Sequence, residues 1–341
     1  MKKSSKFKVQ RLKLVAWIML LTGVLSAQDL HFTQFYFAPS NYNPAHIGDF
    51  DGDYRVIGNQ RRQWASVTIP YQTFAASMDA HNFLKVKGLG AMFNFLTDKT
   101  GDSHFSYTIF NAGLSYQFKS KDSTNFFTIG VQSGMSNKQF NTQDLKYDNQ
   151  YNGFFYDANI APIESYARLS FNYLNLNAGF KWKHIFSNKL SGHLAGSLYN
   201  INRPTETFMN NFSIRLDRRF NTEFGAEYHL NKKWEIDPLF LFSFQGKYSE
   251  YNLGLLAKYH FIDEPYNSWK LMAGLFARAG DAGNVMTGLI YNNWTFGASY
   301  DINLSNLQPA SINRGGLELA IIYIWKKLPE RPHHKICPEY L

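Results

Sequence analysis

The feature that most constrains this chain is a side-chain alternation of period two that recurs from residue 53 almost to the C-terminus. Trp294, Phe296, Ala298, Tyr300 and Ile302 alternate with Thr295, Gly297, Ser299, Asp301 and Asn303. Leu174, Leu176, Ala178, Phe180 and Trp182 alternate with Asn175, Asn177, Gly179, Lys181 and Lys183, and Phe224, Ala226, Tyr228 and Leu230 with Glu223, Gly225, Glu227 and His229. Successive residues of a strand point to opposite faces, so each segment offers one apolar face and one face carrying charges, amides and glycine. A soluble all-β domain could share that pattern, and composition separates the two cases. Aromatic residues make up 17% of the chain, yet the mean hydropathy is −0.34. No apolar stretch after residue 27 approaches the roughly 20 residues a membrane helix needs. Strands that turn apolar side chains to lipid and polar ones to a lumen satisfy both facts. The expected fold is therefore all-β, a transmembrane antiparallel barrel.

The alternating segments are 53–64, 72–82, 87–98, 105–119, 125–139, 171–186, 189–201, 218–230, 233–246, 249–261, 268–279, 284–292, 293–303 and 316–327. They give about 14 strands, an even number that lets a single chain close into a barrel with both ends on one side. Connection lengths sort accordingly. Ser187-Asn188, Asn231-Lys232 and Asn292-Asn293 sit at tight turns after even strands, with residue types that reverse a chain. The long connections 140–170, 202–217 and 304–315 all follow odd strands. Short turns on the periplasmic side and long loops outside put both termini in the periplasm.

The N-terminus supplies the compartment. Lys2, Lys3, Lys6, Lys8, Arg11 and Lys13 precede an apolar run from Leu14 to Leu25, and Ser26-Ala27 precede Gln28-Asp29. These are the parts of a cleaved export signal, residues 1–27, and the run is too short for an anchor helix. Six of the 35 basic residues leave with it, so 29 remain against 26 acids and the net charge falls from +9 to +3. The basic balance thus belongs mainly to the signal, and no nucleic-acid partner is expected. Cys337 is the single cysteine, which excludes an internal disulfide and, so far from the signal, a lipid-bearing role.

Residues 28–52 hold two prolines and no sustained alternation but are too aromatic for a disordered tail. They are expected to fold against the periplasmic mouth or into the lumen. The barrel then spans 53–327, and 328–341 form a proline-containing periplasmic tail.

Catalytic and metal motifs are missing from the sequence. There is no H-E-x-x-H, G-x-S-x-G or phosphate-binding glycine–lysine loop. Asp49, Asp51 and Asp53 have the spacing that opens a calcium loop, but Tyr54 and Gln60 stand where it needs glycine and glutamate. His333 and His334 beside Cys337 are adjacent on an irregular tail and converge poorly on a metal. A barrel phospholipase would need a serine with a histidine base, and His193, His229 and His260 lie in strands with no nucleophile motif after them. No enzymatic activity, cofactor or metal is expected.

Ordered motifs then point to a family. Gln28-Asp29-x-His31-Phe32-Thr33-Gln34-Phe35-Tyr36 and Asn43-Pro44-Ala45 open the mature chain. Arg61-Arg62-Gln63-Trp64 and Tyr71-Gln72-Thr73-Phe74-x-Ala76-Ser77-x-Asp79 follow, then Asn202-Arg203-Pro204-Thr205-Glu206-Thr207-Phe208, Gly316-x-Glu318-Leu319-x-Ile321-x-Tyr323 and Cys337-Pro338. Together these resemble the PorP/SprF proteins of the Bacteroidetes type IX secretion and gliding machinery, over nearly the whole mature chain. Asn59-Gln60-Arg61-Arg62-Gln63-Trp64 carries one residue more than the family's N-R-x-Q-W, which predicts a bulge or altered register over 59–64. The resemblance implies an outer-membrane component that contacts periplasmic ring and motor proteins and retains a large secreted surface protein or adhesin. Partner contacts are then expected at Gln34, Phe35, Tyr36, Asn43 and Pro44, at Asp144, Tyr147, Tyr151 and Tyr156 on the long loop, and at Arg203, Pro204, Cys337 and Pro338. Outer-membrane lipid is the other expected partner. The alternative is a passive porin or a transporter of small hydrophobic molecules, which alternation alone does not separate from a scaffold.

Overall fold

The computed structural model describes residues 32–63, 69–101, 104–142, 145–264, 267–304 and 314–326. The expected signal and tail lie outside them. Fourteen strands follow in order: β1 (Tyr54–Gln63), β2 (Tyr71–Ala80), β3 (Leu89–Thr100), β4 (Phe105–Lys119), β5 (Asn125–Gln139), β6 (Ser170–Ser187), β7 (Leu190–Tyr199), β8 (Arg219–His229), β9 (Trp234–Gln245), β10 (Tyr248–Glu264), β11 (Asn267–Arg278), β12 (Ala282–Tyr291), β13 (Trp294–Asn303) and β14 (Arg314–Trp325). Each pairs antiparallel with its neighbours in sequence, and β1 pairs with β14 to close the barrel. Closure leaves no edge with unpaired backbone groups, the condition for strands in hydrocarbon.

The alternation read from sequence sets which way each side chain points. On β13, Trp294, Phe296, Tyr300 and Ile302 are exposed outward, while Gly297, Ser299, Asp301 and Asn303 are buried inside. The outer surface carries exposed aromatics such as Trp182, Trp234, Trp269, Trp294 and Trp325 near the short turns, and Tyr251 and Tyr300 toward the long loops. Two such girdles flank the apolar band of a membrane barrel. The turn between β12 and β13 uses left-handed backbone at Asn292, a conformation asparagine tolerates. Strand ends move by a few residues from the sequence expectation, as where β10 continues to Glu264.

One expectation is corrected. β1 runs in unbroken register with both neighbours from Tyr54 to Gln63, so there is no bulge over 59–63, and Trp64 lies outside the described residues. Asn59 and Arg61 point inward and buried, leaving Gln60 and Arg62 outward. The register is held because the Arg61 guanidinium reaches Asp301 at 3.1 Å and Glu318 at 2.9 Å inside the barrel. Register shifts occur instead on β6, β10 and β13.

Candidate functional site: a plugged lumen between two mouths

Residues 32–49 enter the barrel and fill its middle. The chain folds there as three short 3-10 turns, Phe35–Phe37, Pro39–Asn41 and Pro44–His46. Pro39 and Pro44 each open a turn, where their missing N–H costs nothing, and the Asn43 side chain accepts from Ala45 N at 2.9 Å. Phe35, Phe37 and Tyr42 pack against Leu241, Leu256, Met272, Phe276 and Met286 from the wall, and Phe32 and Ala38 against Ala75 and Leu96. Burial of each large side chain contributes about 1.5–3 kcal/mol. These apolar residues sit at inward positions of strands whose inner face is otherwise polar, so they mark where the plug rests.

Polar latches hold the plug at both ends. At its start, Glu318 accepts from Thr33 N at 2.8 Å and Gln34 N at 3.0 Å, while the Thr33 hydroxyl donates to Asp301 at 2.9 Å. Arg61 and Arg278 neutralise the two carboxylates, and Arg278 also donates to the Thr33 hydroxyl at 2.9 Å. At its end, Arg55 and Asp79 form a two-pronged pair at 2.9 and 2.6 Å. Asp79 accepts from Gly48 N at 2.8 Å and Arg55 donates to the His46 carbonyl at 3.1 Å. Glycine makes room in between. A side chain at Gly130 would collide with the Pro44 carbonyl, and one at Gly179 with the Asn43 amide.

His46 is the plug's titratable contact. Its ring stands 2.6 Å from Glu223, 3.7 Å from Asp49 and 3.3 Å from Lys181, with His193 edge-on beyond. Burial, the largest influence, disfavours the imidazolium, but the Glu223 carboxylate together with the hydrogen bonds to Glu223 and Asp49 outweighs it, and the His46 pKa is raised. Burial pushes Asp49 up as well, yet Lys181 and His46 overcome it and hold that carboxyl well below its usual range. A raised histidine stabilises the docked plug fully below its unfolded pKa of about 6.5 and loses that contribution as pH climbs through the folded value. A depressed aspartate contributes fully above about 3.9 and loses it as pH falls through its folded value. Protection of residues 32–49 from amide exchange, corrected for the intrinsic rate, is therefore expected to decline as pH rises past neutrality. In His46→Gln that decline should vanish; an identical slope in both proteins would refute the assignment.

The short-turn mouth is open beneath the plug. One cavity of about 710 Å³ reaches the His46 cluster, and another of about 940 Å³ is bordered by Asp51, Asp53, Asp263, Glu264, Lys270 and Lys326. At the opposite mouth the 140–169 and 200–218 connections fold onto one another. Phe208 packs its ring 4.7 Å from both Phe140 and Phe171, Tyr173 donates to the Tyr107 hydroxyl at 3.0 Å, and Lys138 pairs with Glu206. Above this aromatic seam, Tyr151 and Tyr156 bridge across a small hairpin whose tip exposes Phe154 at 90%. Ile163, Met209 and Phe212 are also exposed on this face.

The residues predicted from sequence divide between these regions. Gln34, Phe35, Asn43 and Pro44 are buried in the plug and make their contacts to the barrel itself: Gln34 donates to Ser299 at 2.8 Å and Asn43 to the Phe180 carbonyl at 3.1 Å. Tyr36, partly buried, stacks on Phe276 at 5.0 Å. Tyr147, Tyr151 and Tyr156 share the long-loop face, where Gln150 accepts from Tyr147 N at 3.1 Å. Arg203 pairs with Asp217 at 3.3 Å on the neighbouring loop, and the Pro204 carbonyl accepts from Leu216 N at 2.9 Å. Asp144, Cys337 and Pro338 lie outside the described residues. Sequence reasoning missed the carboxylates and arginines of the latch. Their signal was present, since Arg61, Asp301 and Glu318 are charges at inward positions of alternating strands, but alternation does not say which of them meet. Among the described residues no group of histidines, cysteines and acids is arranged to hold a metal.

Comparison with known proteins places this architecture. The family model described as "Type IX secretion system membrane protein PorP/SprF" matches residues 24–323. Among curated proteins, none matches the chain significantly in sequence. The fold is similar to the toluene transporter TodX of Pseudomonas putida, 8% identical, with 87% of this chain and 95% of the transporter covered and a TM-score of 0.52. A FadL homologue of Pseudomonas aeruginosa is 9% identical over 82% of this chain and 92% of its own, with a TM-score of 0.47. At such identities the likeness concerns the barrel fold alone.

Proposed function

Because the chain belongs to the PorP/SprF family of type IX secretion system membrane proteins, we propose that it is a non-catalytic outer-membrane scaffold that anchors or presents secreted surface protein and contacts the periplasmic ring. The plug carries this reading. A lumen occupied by residues 32–49, hydrogen-bonded at both ends to wall residues that buried ion pairs hold in place, is a poor conduit and a rigid support. The long-loop mouth, taken as extracellular, offers the Phe154 tip and the exposed Ile163, Met209 and Phe212 to a secreted partner. Interfaces favour such aromatic and methionine anchors. The short-turn mouth, taken as periplasmic with both termini, offers its acidic border to ring or motor components. The rival reading, a porin or hydrophobic-molecule transporter, draws on the general barrel shape and requires the plug to leave.

Affinity capture of the tagged, detergent-solubilised protein from native membranes, with mass spectrometry, tests the proposal. Co-recovery of a periplasmic ring component or a large secreted surface protein is expected, with negligible conductance of the purified barrel in a planar bilayer. Removing residues 328–341 should leave the barrel folded and lower recovery of the periplasmic partner. A conducting barrel recovered without partners would favour the porin.

A further inference from the structure

The outer wall carries two cations close together on one rung near its long-loop end, beside a shallow groove. Pairing aligns Lys99 of β3, Gln72 of β2 and Arg62 of β1 on one rung, all exposed and all on the outward face. Onward from Arg62, the same rung carries Leu317, Tyr300, Val285 and Leu275. In the other direction, beyond Lys99, it carries the uncharged Ser106, Gln139 and Ser170, so along these strands the rung's charge is confined to Arg62 and Lys99, at the level of the long-loop aromatic belt marked by Tyr300. Neither cation is ion-paired among the described residues, and the outward Gln60 amide, one step deeper on β1, has no hydrogen bond. At the belt the two cations lie within reach of anionic headgroups, and the Gln60 amide one step deeper, where an unsatisfied polar group facing lipid is more costly, gains from a polar partner there.

The wall directly below is indented. Gly58 on β1, Thr287 on β12 and Ala298 on β13 belong to a shallow outer groove of about 580 Å³, whose higher ground is formed by Phe74, Phe296 and Leu319. Along β1 the sequence of outward positions is thus cation, amide, glycine: Arg62, Gln60, Gly58. A charged headgroup, a polar linkage and an acyl chain follow one another in the same order in an acidic lipid.

We propose that the Arg62–Lys99 row and the groove beneath it bind one phosphorylated, acylated glycolipid of the lipopolysaccharide class. The phosphate lies against Arg62 and Lys99, Gln60 hydrogen-bonds the acyl linkage, and a chain lies over Gly58 and Ala298. Charge complementarity selects an anionic lipid. The choice of a glycolipid over a phospholipid rests on the reading above that the long-loop mouth is extracellular, because that class occupies the outer leaflet.

The test titrates the purified full chain in detergent with lipopolysaccharide, phosphatidylglycerol and inorganic phosphate, reading bound lipid by native mass spectrometry. Each cation near a charged lipid surface is worth about five- to tenfold in binding, so the Arg62→Ala, Lys99→Ala double variant is expected to bind lipopolysaccharide roughly thirty- to a hundredfold more weakly. Ala298→Phe, which fills the groove and leaves the charges, should also weaken it, and Arg62→Lys should largely restore binding. Heat-modifiable migration on gels verifies that each variant keeps its barrel. Unchanged lipopolysaccharide binding in the double variant would overturn the site, as would binding of inorganic phosphate alone. An epitope inserted at Gly153, a position with open space around it, and detected on intact cells tests the orientation separately. If that epitope is hidden and phosphatidylglycerol is the lipid lost in the double variant, the glycolipid assignment fails through orientation; an accessible epitope with no lipid lost fails the site itself.

Discussion

Glu318→Ala is expected to release the plug and turn a silent barrel into a conducting one. Glu318 is 2% exposed and carries three contacts at once, to Thr33 N, Gln34 N and Arg61. Its loss leaves two backbone N–H groups without acceptors, at about 1–3 kcal/mol each. It also breaks a buried ion pair, which costs about 3–5 kcal/mol when one partner is removed. Arg61 keeps Asp301, but Asp301 is already shared with Arg278, Thr33 and Asn284. The expected penalty falls on the docked state, because the barrel ladder does not pass through this side chain. Ion conductance in planar bilayers should rise from near zero, and residues 32–38 should become accessible to protease. Glu318→Gln keeps an acceptor without the charge and should give a smaller opening. A variant that stays closed and protected would show that the apolar contacts of Phe35, Phe37 and Tyr42 and the latch at His46 and Gly48 suffice to hold the plug.

The second large effect is expected at the other mouth, from Phe208→Ala. The Phe208 ring is the only aromatic the 200–218 connection contributes to the seam with Phe105, Phe140 and Phe171 among the described residues. Its carbonyl accepts from Arg168 N at 3.2 Å, so the same residue also ties the two loops through backbone. Truncation of a large aromatic in a packed cluster costs about 3 kcal/mol, here charged to local opening and not to the barrel. Amide exchange over residues 145–169 and 205–217 should accelerate by roughly a hundredfold, while the strands remain protected. Recovery of the secreted partner should fall with it, since an interface built on Phe154 and Met209 depends on loops already ordered. Unchanged exchange in both loops would mean that they are held by other contacts, such as Lys138 with Glu206.

Much of the architecture is legible in the sequence. Alternation identifies the inward and outward faces of Trp294–Asn303 because a strand has only two faces, and connection lengths count the strands because only tight turns tolerate two residues. The misreading at 59–64 is instructive. An extra residue in a motif is compatible with a bulge, but β1 keeps its pairing because Arg61 is fixed by carboxylates on β13 and β14, about 240 residues away or more in sequence. No local signal contains that contact.

The same limit separates the plug from the barrel. From the sequence alone, residues 28–52 are aromatic, proline-bearing and without strand periodicity, which is enough to remove them from the wall and to leave two destinations for them. Only the closed barrel decides between these, because the latch needs Arg55 and Asp79 from β1 and β2 at one end and Arg278, Asp301 and Glu318 from β11, β13 and β14 at the other. Side-chain direction is a local property of the backbone, so sequence determines it. Which charges share a lumen, and which glycines let a turn approach the wall, depends on bringing distant strands around a closed circle, and that was decided by tertiary structure.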